Sequence, residues 1–183
     1  MLFRSTGHLR ALKRVDLLLD AFAVVARADD AARLFVVGGS RADLEDTTTE
    51  LAAQCQRLGL RDRVVFSGPI DDVRPYLHAA DVFVLPSDRE GLSNALLEAL
   101  ACGLPGVAAP SAGGDMILDE TCGIVPATNR GEDLAAAMVE MLSPQVRAHY
   151  AQGSRPKAEA YGIGAVSDRY EQIYARRRAA RIG

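Results

Sequence analysis

DVFVLPSDREGLSNALLEALACGLPGVAAP, residues 81–110, is the stretch that decides the fold. Its centre predicts a helix at 95–102 that begins near Ser93, and an apolar run lies on each side, at 81–87 and 106–110. Neither run alternates apolar with polar residues, and such runs are typical of strands that are buried on both faces of a parallel sheet. We therefore interpret the stretch as a strand–helix–strand unit.

The rest of the chain repeats this unit. Further strands are predicted at 2–5, 33–37, 64–68 and 123–127, and further helices at 15–27, 44–58, 73–80, 133–142, 146–161 and 165–178. This order predicts an α/β fold with a single Rossmann-like, doubly wound parallel sheet and right-handed crossovers. We expect one domain over 1–183, with C-terminal helices in 144–181. Ligands of such folds bind beyond the carboxyl ends of the strands.

The composition narrows the class of protein. Apolar residues make up 49% and charged residues 25% of the 183 residues, which is typical of a soluble globular protein. The net charge of -3 gives no reason to expect a nucleic acid partner. No apolar run is long enough for a transmembrane helix, and MLFRSTGHLR lacks the apolar core of a signal peptide. Cys55, Cys102 and Cys122 lack the spacing of a metal site, so we expect reduced thiols in a cytoplasmic protein.

The loop before the helix at 95–102 has the features of an anion site. The free N–H groups at a helix N-terminus attract anions together with the helix dipole, and Gly91 allows a ligand to approach the backbone. Ser93 and Asn94 can cap the helix or hydrogen-bond a bound group. Lys13, which follows the first strand, is the predicted cation for a bound phosphate.

Two carboxylates flank this anion site. Glu90 precedes Gly91, and Glu98 lies within the predicted helix. They cannot favour a phosphate by charge, whereas a carboxylate is a good acceptor for the vicinal hydroxyl groups of a sugar or a ribose. Glu98 follows Glu90 by eight positions, and eight residues of helix would span about 12 Å. Either glutamate alone is usually a solvated residue, but together they suggest a nucleotide sugar whose phosphates lie on the helix N-terminus.

Seven motifs follow one another along the chain: GHLRALKRVDLLLDAF, LFVVGG, RVVFSGPIDD, LHAADVFVLPS, EGLSNALLEALACGLPGVAA, AGG and GIVP. In these motifs the chain resembles the donor-binding, C-terminal half of retaining glycosyltransferases with the GT-B architecture, the large family four, also described as glycosyl transferases group 1. The resemblance covers essentially the whole chain.

The resemblance implies roles for individual residues. Glu90 would lie by the donor sugar, Glu98 would hold the ribose hydroxyls and Lys13 would neutralise the diphosphate, so that Glu90 and Lys13 are the implied catalytic residues. The other implied contacts with the donor are Gly7 and His8, Ile70 and Asp71 near the base and ribose, and Gly91, Leu92, Ser93 and Asn94. His8 stands where the family commonly has an arginine, and it is equally compatible with a surface histidine.

The resemblance also implies a reaction. A sugar would pass from a nucleoside diphosphate sugar, such as a UDP- or GDP-hexose, to an acceptor hydroxyl with retention of configuration, without an essential metal or another cofactor. Lys13 and the helix N-terminus would stabilise the leaving diphosphate. An epimerase or a phosphorylase of similar architecture is a less favoured alternative; for a phosphorylase, neither Lys13 nor Lys157 has the context of a lysine that carries pyridoxal phosphate.

The chain matches only the second of the family's two domains, so the N-terminal acceptor-binding domain is expected to be absent from it. Three explanations stay open: a fragment or truncated reading frame, which we favour, a subunit that works with a separate acceptor-binding chain, or a non-catalytic nucleotide-sugar-binding module. The chain alone is expected to be inactive. The helix at 165–178 would expose a face that could form a homodimer, and the terminal ARRRAARIG could contact an anionic membrane surface.

Overall fold

Six parallel strands form the sheet of the computed structural model, which describes residues 1–7, 11–39 and 47–179. The strands are β1 (Leu2–Thr6), β2 (Arg33–Val37), β3 (Val64–Phe66), β4 (Val82–Leu85), β5 (Gly106–Ala108) and β6 (Gly123–Ile124). Their order in the sheet is β3-β2-β1-β4-β5-β6, and neighbouring strands are parallel throughout. The predicted doubly wound α/β fold is confirmed.

Helices connect the strands and follow the sheet. Within the described ranges they are α1 (Val15–Ala28), α2 (Thr48–Arg57), α3 (Arg74–His78), α4 (Asn94–Ala101), α5 (Gly114–Ile117), α6 (Gly131–Glu140), α7 (Pro144–Glu159) and α8 (Ile163–Ala179). Short 3-10 helices lie at Ala11–Lys13 and Pro110–Ala112. None of the helices in this part of the chain combines the length and the apolar character needed to cross a membrane.

The side chains of alternate residues in each strand lie on opposite faces of the sheet. In β4, Val82 and Val84 join a core cluster with residues of α1, α2 and α6, whereas Phe83 and Leu85 join a second cluster with residues of α4 and α5. All four side chains are buried. A strand that is covered on both sides needs an apolar residue at every position, which explains why the apolar runs of the sequence do not alternate.

The differences from the predicted elements lie mainly at the carboxyl edge of the sheet. The strands β3, β4, β5 and β6 are shorter than predicted, because the chain leaves the sheet after Phe66, Leu85, Ala108 and Ile124. The helix predicted at 44–58 begins at Thr48, and positions 44–46 lie outside the described residues. The helix α5 and both 3-10 helices were not predicted, since a single turn is too short to show a period.

An ion pair fixes α7 to the loop before β6. Lys157 Nζ donates to Asp119 Oδ2 at 2.5 Å, and Asp119 Oδ1 accepts from the backbone N–H and the hydroxyl of Thr121 at 2.9 and 2.6 Å. The hydrogen bond from Lys157, followed by the one from the Thr121 hydroxyl, holds the pKa of the Asp119 carboxyl well below its usual range. The helix α7 is therefore attached to the sheet by charge as well as by apolar contact.

We expect Asp119→Asn to destabilise the protein by about 1–2 kcal/mol at pH 7, because it removes a charge-assisted hydrogen bond at a partly exposed site. Since the folded pKa is depressed, this contribution is present above the pKa of an unfolded aspartate, about 3.9, and is lost as the pH falls below it. Urea unfolding of both proteins at pH 7 and pH 3 should show a smaller difference at pH 3. An equal difference at the two pH values would contradict this role for Asp119.

Candidate functional site

The candidate site lies at the carboxyl edge of the sheet, where the winding reverses. Between β1 and β4 the strand order changes direction, and ligands of open α/β sheets bind beyond that point. A cavity of about 390 Å³ opens there. It is formed by the ends of β1 and β2, the segment after β3 and one side of α4, with the lining residues Thr6, Gly7, Val37, Gly38, Gly39, Pro69, Ile70, Val73, Ala95 and Glu98.

Glycines bring the ends of three strands together at the cavity. The Gly7 N–H donates to the Val37 carbonyl at 2.9 Å, and the Gly38 N–H donates to the Gly68 carbonyl at 3.1 Å. Gly38 has a φ of +132°, and a Cβ at this position would lie 1.8 Å from the Gly7 carbonyl oxygen. Position 38 therefore accepts only glycine, and the absence of a side chain there leaves the backbone accessible to a ligand.

Lys13 and Glu90 form an ion pair beside the cavity. Lys13 ends the first 3-10 helix, and its ammonium group donates to Glu90 Oε1. Both side chains are partly buried, with 27% and 18% of their surface exposed. The stem of Lys13 runs along Gly7, since a Cβ on Gly7 would lie 3.4 Å from Lys13 Cε. The sequence predicted a separate role for each residue, and the structure shows in addition that each neutralises the other.

The loop that carries Glu90 is supported by the segment that follows β5. The Glu90 N–H donates to the Ser111 carbonyl at 3.3 Å, and the Ser111 hydroxyl donates to the Ser87 carbonyl at 2.9 Å. Gly113 has a φ of +70°, and a Cβ there would lie 2.8 Å from the Gly91 carbonyl oxygen. The AGG motif thus contains a glycine that packs behind the loop, a role that sequence analysis did not identify.

A second ion pair joins the segments that carry Lys13 and Glu90. Arg14 Nη1 lies 3.0 and 3.1 Å from the two carboxylate oxygens of Asp88, and Arg14 Nε lies 3.1 Å from Asp16 Oδ1. The hydrogen bond to Asp16 foremost, and also the one to Asp88, raises the pKa of Arg14. Sequence analysis missed this pair, because 74 residues separate Arg14 from Asp88 and no local pattern links them.

The N-terminus of α4 is formed as predicted, with Ser93 as its capping residue. The Ser93 hydroxyl accepts a hydrogen bond from the Leu96 N–H at 3.4 Å, and Ser93 is buried. Gly91, Leu92 and Asn94 are exposed. A Cβ on Gly91 would meet no atom within 4 Å, so there is free space in front of the helix N-terminus.

The other predicted residues are not all at the cavity. Gly7, Ile70 and Glu98 line it, so the structure brings together residues that follow β1 and β3 with a residue of α4. Asp71 is exposed and is not among the residues found to line the cavity in the described part of the chain. His8 lies outside the described residues.

A buried cation, Arg4, lies two residues before Thr6 of the cavity wall. Arg4 is 1% exposed, and its guanidinium carbon lies 4.9 Å from the ring centroid of Phe35 and 5.0 Å from that of Tyr76. Its Nε and Nη1 atoms have no hydrogen-bond partner, and burial lowers the pKa of Arg4 to about 10. Arg4 and Thr6 project from the same face of β1, because alternate residues of a strand share a face. No pattern in the sequence indicated that an arginine would be stacked here.

Comparison with known sequences places the chain in a family. The family model described as glycosyl transferases group 1 matches residues 3–144. The chain is 33% identical over 182 residues to the D-inositol 3-phosphate glycosyltransferase of Saccharomonospora viridis. This alignment covers 95% of this chain and 42% of that protein. It is 40% identical over 108 residues to the mannosylfructose-phosphate synthase of Agrobacterium fabrum, which covers 56% of this chain and 24% of that protein. The chain therefore spans less than half the length of these relatives.

Comparison with solved structures gives the same result for the fold. The sucrose-phosphate synthase of Thermosynechococcus elongatus superposes with a TM-score of 0.82 at 27% identity, over 98% of this chain and 46% of that one. Anabaena HepE in complex with UDP superposes with a TM-score of 0.84 at 23% identity, over 95% of this chain and 48% of the HepE chain. The C-terminal domain of the group 1 protein LpcC of Francisella tularensis superposes with a TM-score of 0.79 at 21% identity, over 88% of this chain and 86% of the LpcC domain. The family model matches more than half of the chain, and the fold is that of such a C-terminal domain. The chain therefore belongs to the group 1 glycosyltransferases.

Proposed function

We propose that the chain is the donor-binding half of a glycosyltransferase that transfers a sugar from a nucleoside diphosphate sugar to an acceptor hydroxyl with retention of configuration. The observation that carries the proposal is the Lys13–Glu90 ion pair beside a cavity whose wall includes Glu98. A volume of about 390 Å³ lies within the usual range of small-molecule sites and suits a nucleoside. A cation next to that volume suits the diphosphate.

Each polar group matches one part of such a donor. Glu98 would accept hydrogen bonds from the ribose hydroxyls, and Lys13 would pair with the diphosphate. Glu90, released from Lys13, would accept hydrogen bonds from the hydroxyls of the sugar. The backbone N–H groups at the start of α4 would add donors for the phosphates, and Ile70 would offer apolar surface to the base.

The chemistry of the transfer follows from these positions. Negative charge develops on the leaving diphosphate in the transition state, and Lys13 together with the α4 N-terminus would be fixed positive groups next to it. Glu90 would orient the sugar and would not act as the nucleophile, because its oxygens would already accept hydrogen bonds. Retention of configuration is proposed from the resemblance to retaining glycosyltransferases.

Structural neighbours support UDP as the nucleotide. Anabaena HepE is known in complex with UDP and also with UDP and glucose. Since HepE shares the fold of this chain, a UDP-hexose is the donor that we propose, and a GDP-hexose is the second choice.

The acceptor site is proposed to lie in a further domain or a separate subunit, because the chain spans only 42% of the S. viridis relative. A candidate surface for that contact is α8, on which Ile163, Tyr170, Ile173 and Tyr174 are at least half exposed. The chain alone would then bind the donor without transferring the sugar. Three further predictions are a homodimer through the same face, a contact of the terminal arginines with an anionic membrane, and a cytoplasmic location.

Thermal unfolding in the presence of nucleotides tests the proposal. A ligand that binds the folded state at about 100 times its dissociation constant adds about 2.7 kcal/mol of stability. For a chain of this size, that corresponds to an increase in Tm of roughly 5–10 °C. We expect UDP to raise Tm, UDP-glucose to raise it further, and GDP and ADP to have smaller effects. If none of the three nucleotides raises Tm, with or without a hexose, the proposed function is wrong for this chain.

A further inference from the structure

Arg14 has a backbone conformation that its residue type disfavours. Its φ is 48° and its ψ is 42°, and within the described ranges no other residue except glycine has a positive φ. Such a left-handed conformation persists only where the surrounding contacts fix it, and it is often found at functional sites. The contacts of Arg14 must therefore favour this conformation.

Those contacts connect two segments that are distant in sequence. The guanidinium of Arg14 donates to both carboxylate oxygens of Asp88, at 3.0 and 3.1 Å, and the Asp88 N–H donates to the Leu12 carbonyl at 2.9 Å. Hydrogen bonds between charged groups are stronger than those between neutral groups. The segment after β1 is thus joined firmly to the segment after β4.

Lys13 lies between these two connections. It pairs with Glu90, two residues beyond Asp88, so that Leu12, Lys13 and Arg14 each contact the segment at 88–90. If a diphosphate binds Lys13 and sugar hydroxyls bind Glu90, the ion pair between Lys13 and Glu90 is lost. The contacts of Leu12 and Arg14 with Asp88 are then left to hold the two segments together.

We propose that Arg14 and Asp88 are positioning residues, whose ion pair keeps Lys13 and Glu90 aligned when the ion pair between Lys13 and Glu90 opens for a diphosphate. The identity of the ligand rests on the proposed function, whereas the contacts themselves do not depend on it. Arg14 acts through its neighbours and does not bind the ligand, since its guanidinium is engaged with Asp88 and Asp16.

Backbone dynamics test this role without a nucleotide. In Glu90→Gln the charge partner of Lys13 is removed, and we expect the ¹⁵N order parameters of residues 11–14 to stay at about 0.85, the value of rigid backbone. In Glu90→Gln/Asp88→Asn we expect them to fall below about 0.6. Low order parameters in Glu90→Gln alone, or high ones in the double variant, overturn the proposal.

A double-mutant cycle on UDP affinity tests the link to Lys13. We expect Asp88→Asn to raise the Kd for UDP about tenfold, since a small displacement of a positioned group is costly. Lys13→Met should raise the Kd further, and the double variant should bind UDP no more weakly than Lys13→Met alone. Additive losses mean that Asp88 does not act through Lys13 and overturn the proposal. Asp30→Asn, which breaks the exposed ion pair with Arg63, is the matched control and should leave the Kd unchanged.

Variants of Arg14 separate the ion pair from the backbone conformation. Arg14→Gly permits the left-handed conformation but cannot pair with Asp88, so we expect the same loss of UDP affinity as in Asp88→Asn. The charge reversal Arg14→Asp/Asp88→Arg, combined with Asp16→Asn to avoid repulsion between two neighbouring carboxylates, should restore most of that affinity, because aspartate tolerates the left-handed conformation. Full affinity in Arg14→Gly would show that the ion pair is not needed. If the unmodified chain binds no nucleotide, the proposed function fails, and the order parameters still decide the positioning role.

Discussion

Glu98→Ala is expected to raise the Kd for UDP about 100-fold, because it removes the proposed acceptor for two ribose hydroxyls. Glu98 is the one carboxylate found among the lining residues of the cavity in the described part of the chain. A hydrogen bond to a charged group contributes roughly 1.5–3 kcal/mol, so the loss of two such bonds amounts to about 3 kcal/mol. Isothermal titration calorimetry of both proteins with UDP measures the effect.

A nucleotide without the ribose hydroxyls separates this role from a general effect of charge. We expect 2′,3′-dideoxy-UDP to bind the unmodified chain and Glu98→Ala with the same Kd. Glu140→Ala removes an equal charge from an exposed position on α6 and should leave the affinity for UDP unchanged. If Glu98→Ala weakened both nucleotides equally, the assignment of Glu98 to the ribose would be wrong.

Gly38→Ala is expected to destabilise the folded protein by about 4 kcal/mol, which is near the upper limit for a single substitution. The new Cβ would lie 1.8 Å from the carbonyl oxygen of Gly7 and 2.8 Å from its carbonyl carbon. Both atoms belong to the backbone, so the overlap cannot be relieved by a rotamer change. A φ of +132° adds strain for any residue other than glycine.

The matched control for this substitution is Gly59→Ala. Gly59 also has a positive φ, +69°, but a Cβ there would meet no atom within 4 Å. We expect Gly59→Ala to lower the free energy of unfolding by only about 1 kcal/mol, the cost of placing a residue other than glycine in the left-handed conformation. Urea unfolding followed by circular dichroism compares the two variants. Similar losses in both would contradict a tight contact between the strand ends at the cavity.

The fold was predictable because its main determinants are local. The runs at 33–37 and 81–87 are apolar at positions that face opposite sides of the sheet, and this pattern alone indicates a strand covered on both faces. The ends of strands were less predictable. β3 ends at Phe66 rather than at Gly68, which has a φ of +70° and forms only an isolated antiparallel bridge to Gly38.

The site was predictable where a residue type carries chemistry, and less so where a contact joins distant segments. The sequence singled out Lys13, Glu90 and Glu98 by charge and spacing, and the structure places Lys13 against Glu90 and Glu98 in the wall of the cavity. Their proposed contacts with a donor stay predictions. Sequence analysis missed the pairing of Arg14 with Asp88, because only the topology of the sheet brings the segments after β1 and β4 together.

The ion pair between Lys13 and Glu90 has a consequence for competition among the anions of a cell. A phosphate or pyrophosphate ion that approaches Lys13 must displace the carboxylate of Glu90, and it carries no hydroxyl groups that could then satisfy that carboxylate. In the proposed complex, a nucleotide sugar would bring both the negative charge for Lys13 and the hydroxyls for Glu90. We therefore expect the pair to lower the affinity for small inorganic anions relative to that for a nucleotide sugar, even where those anions are far more abundant.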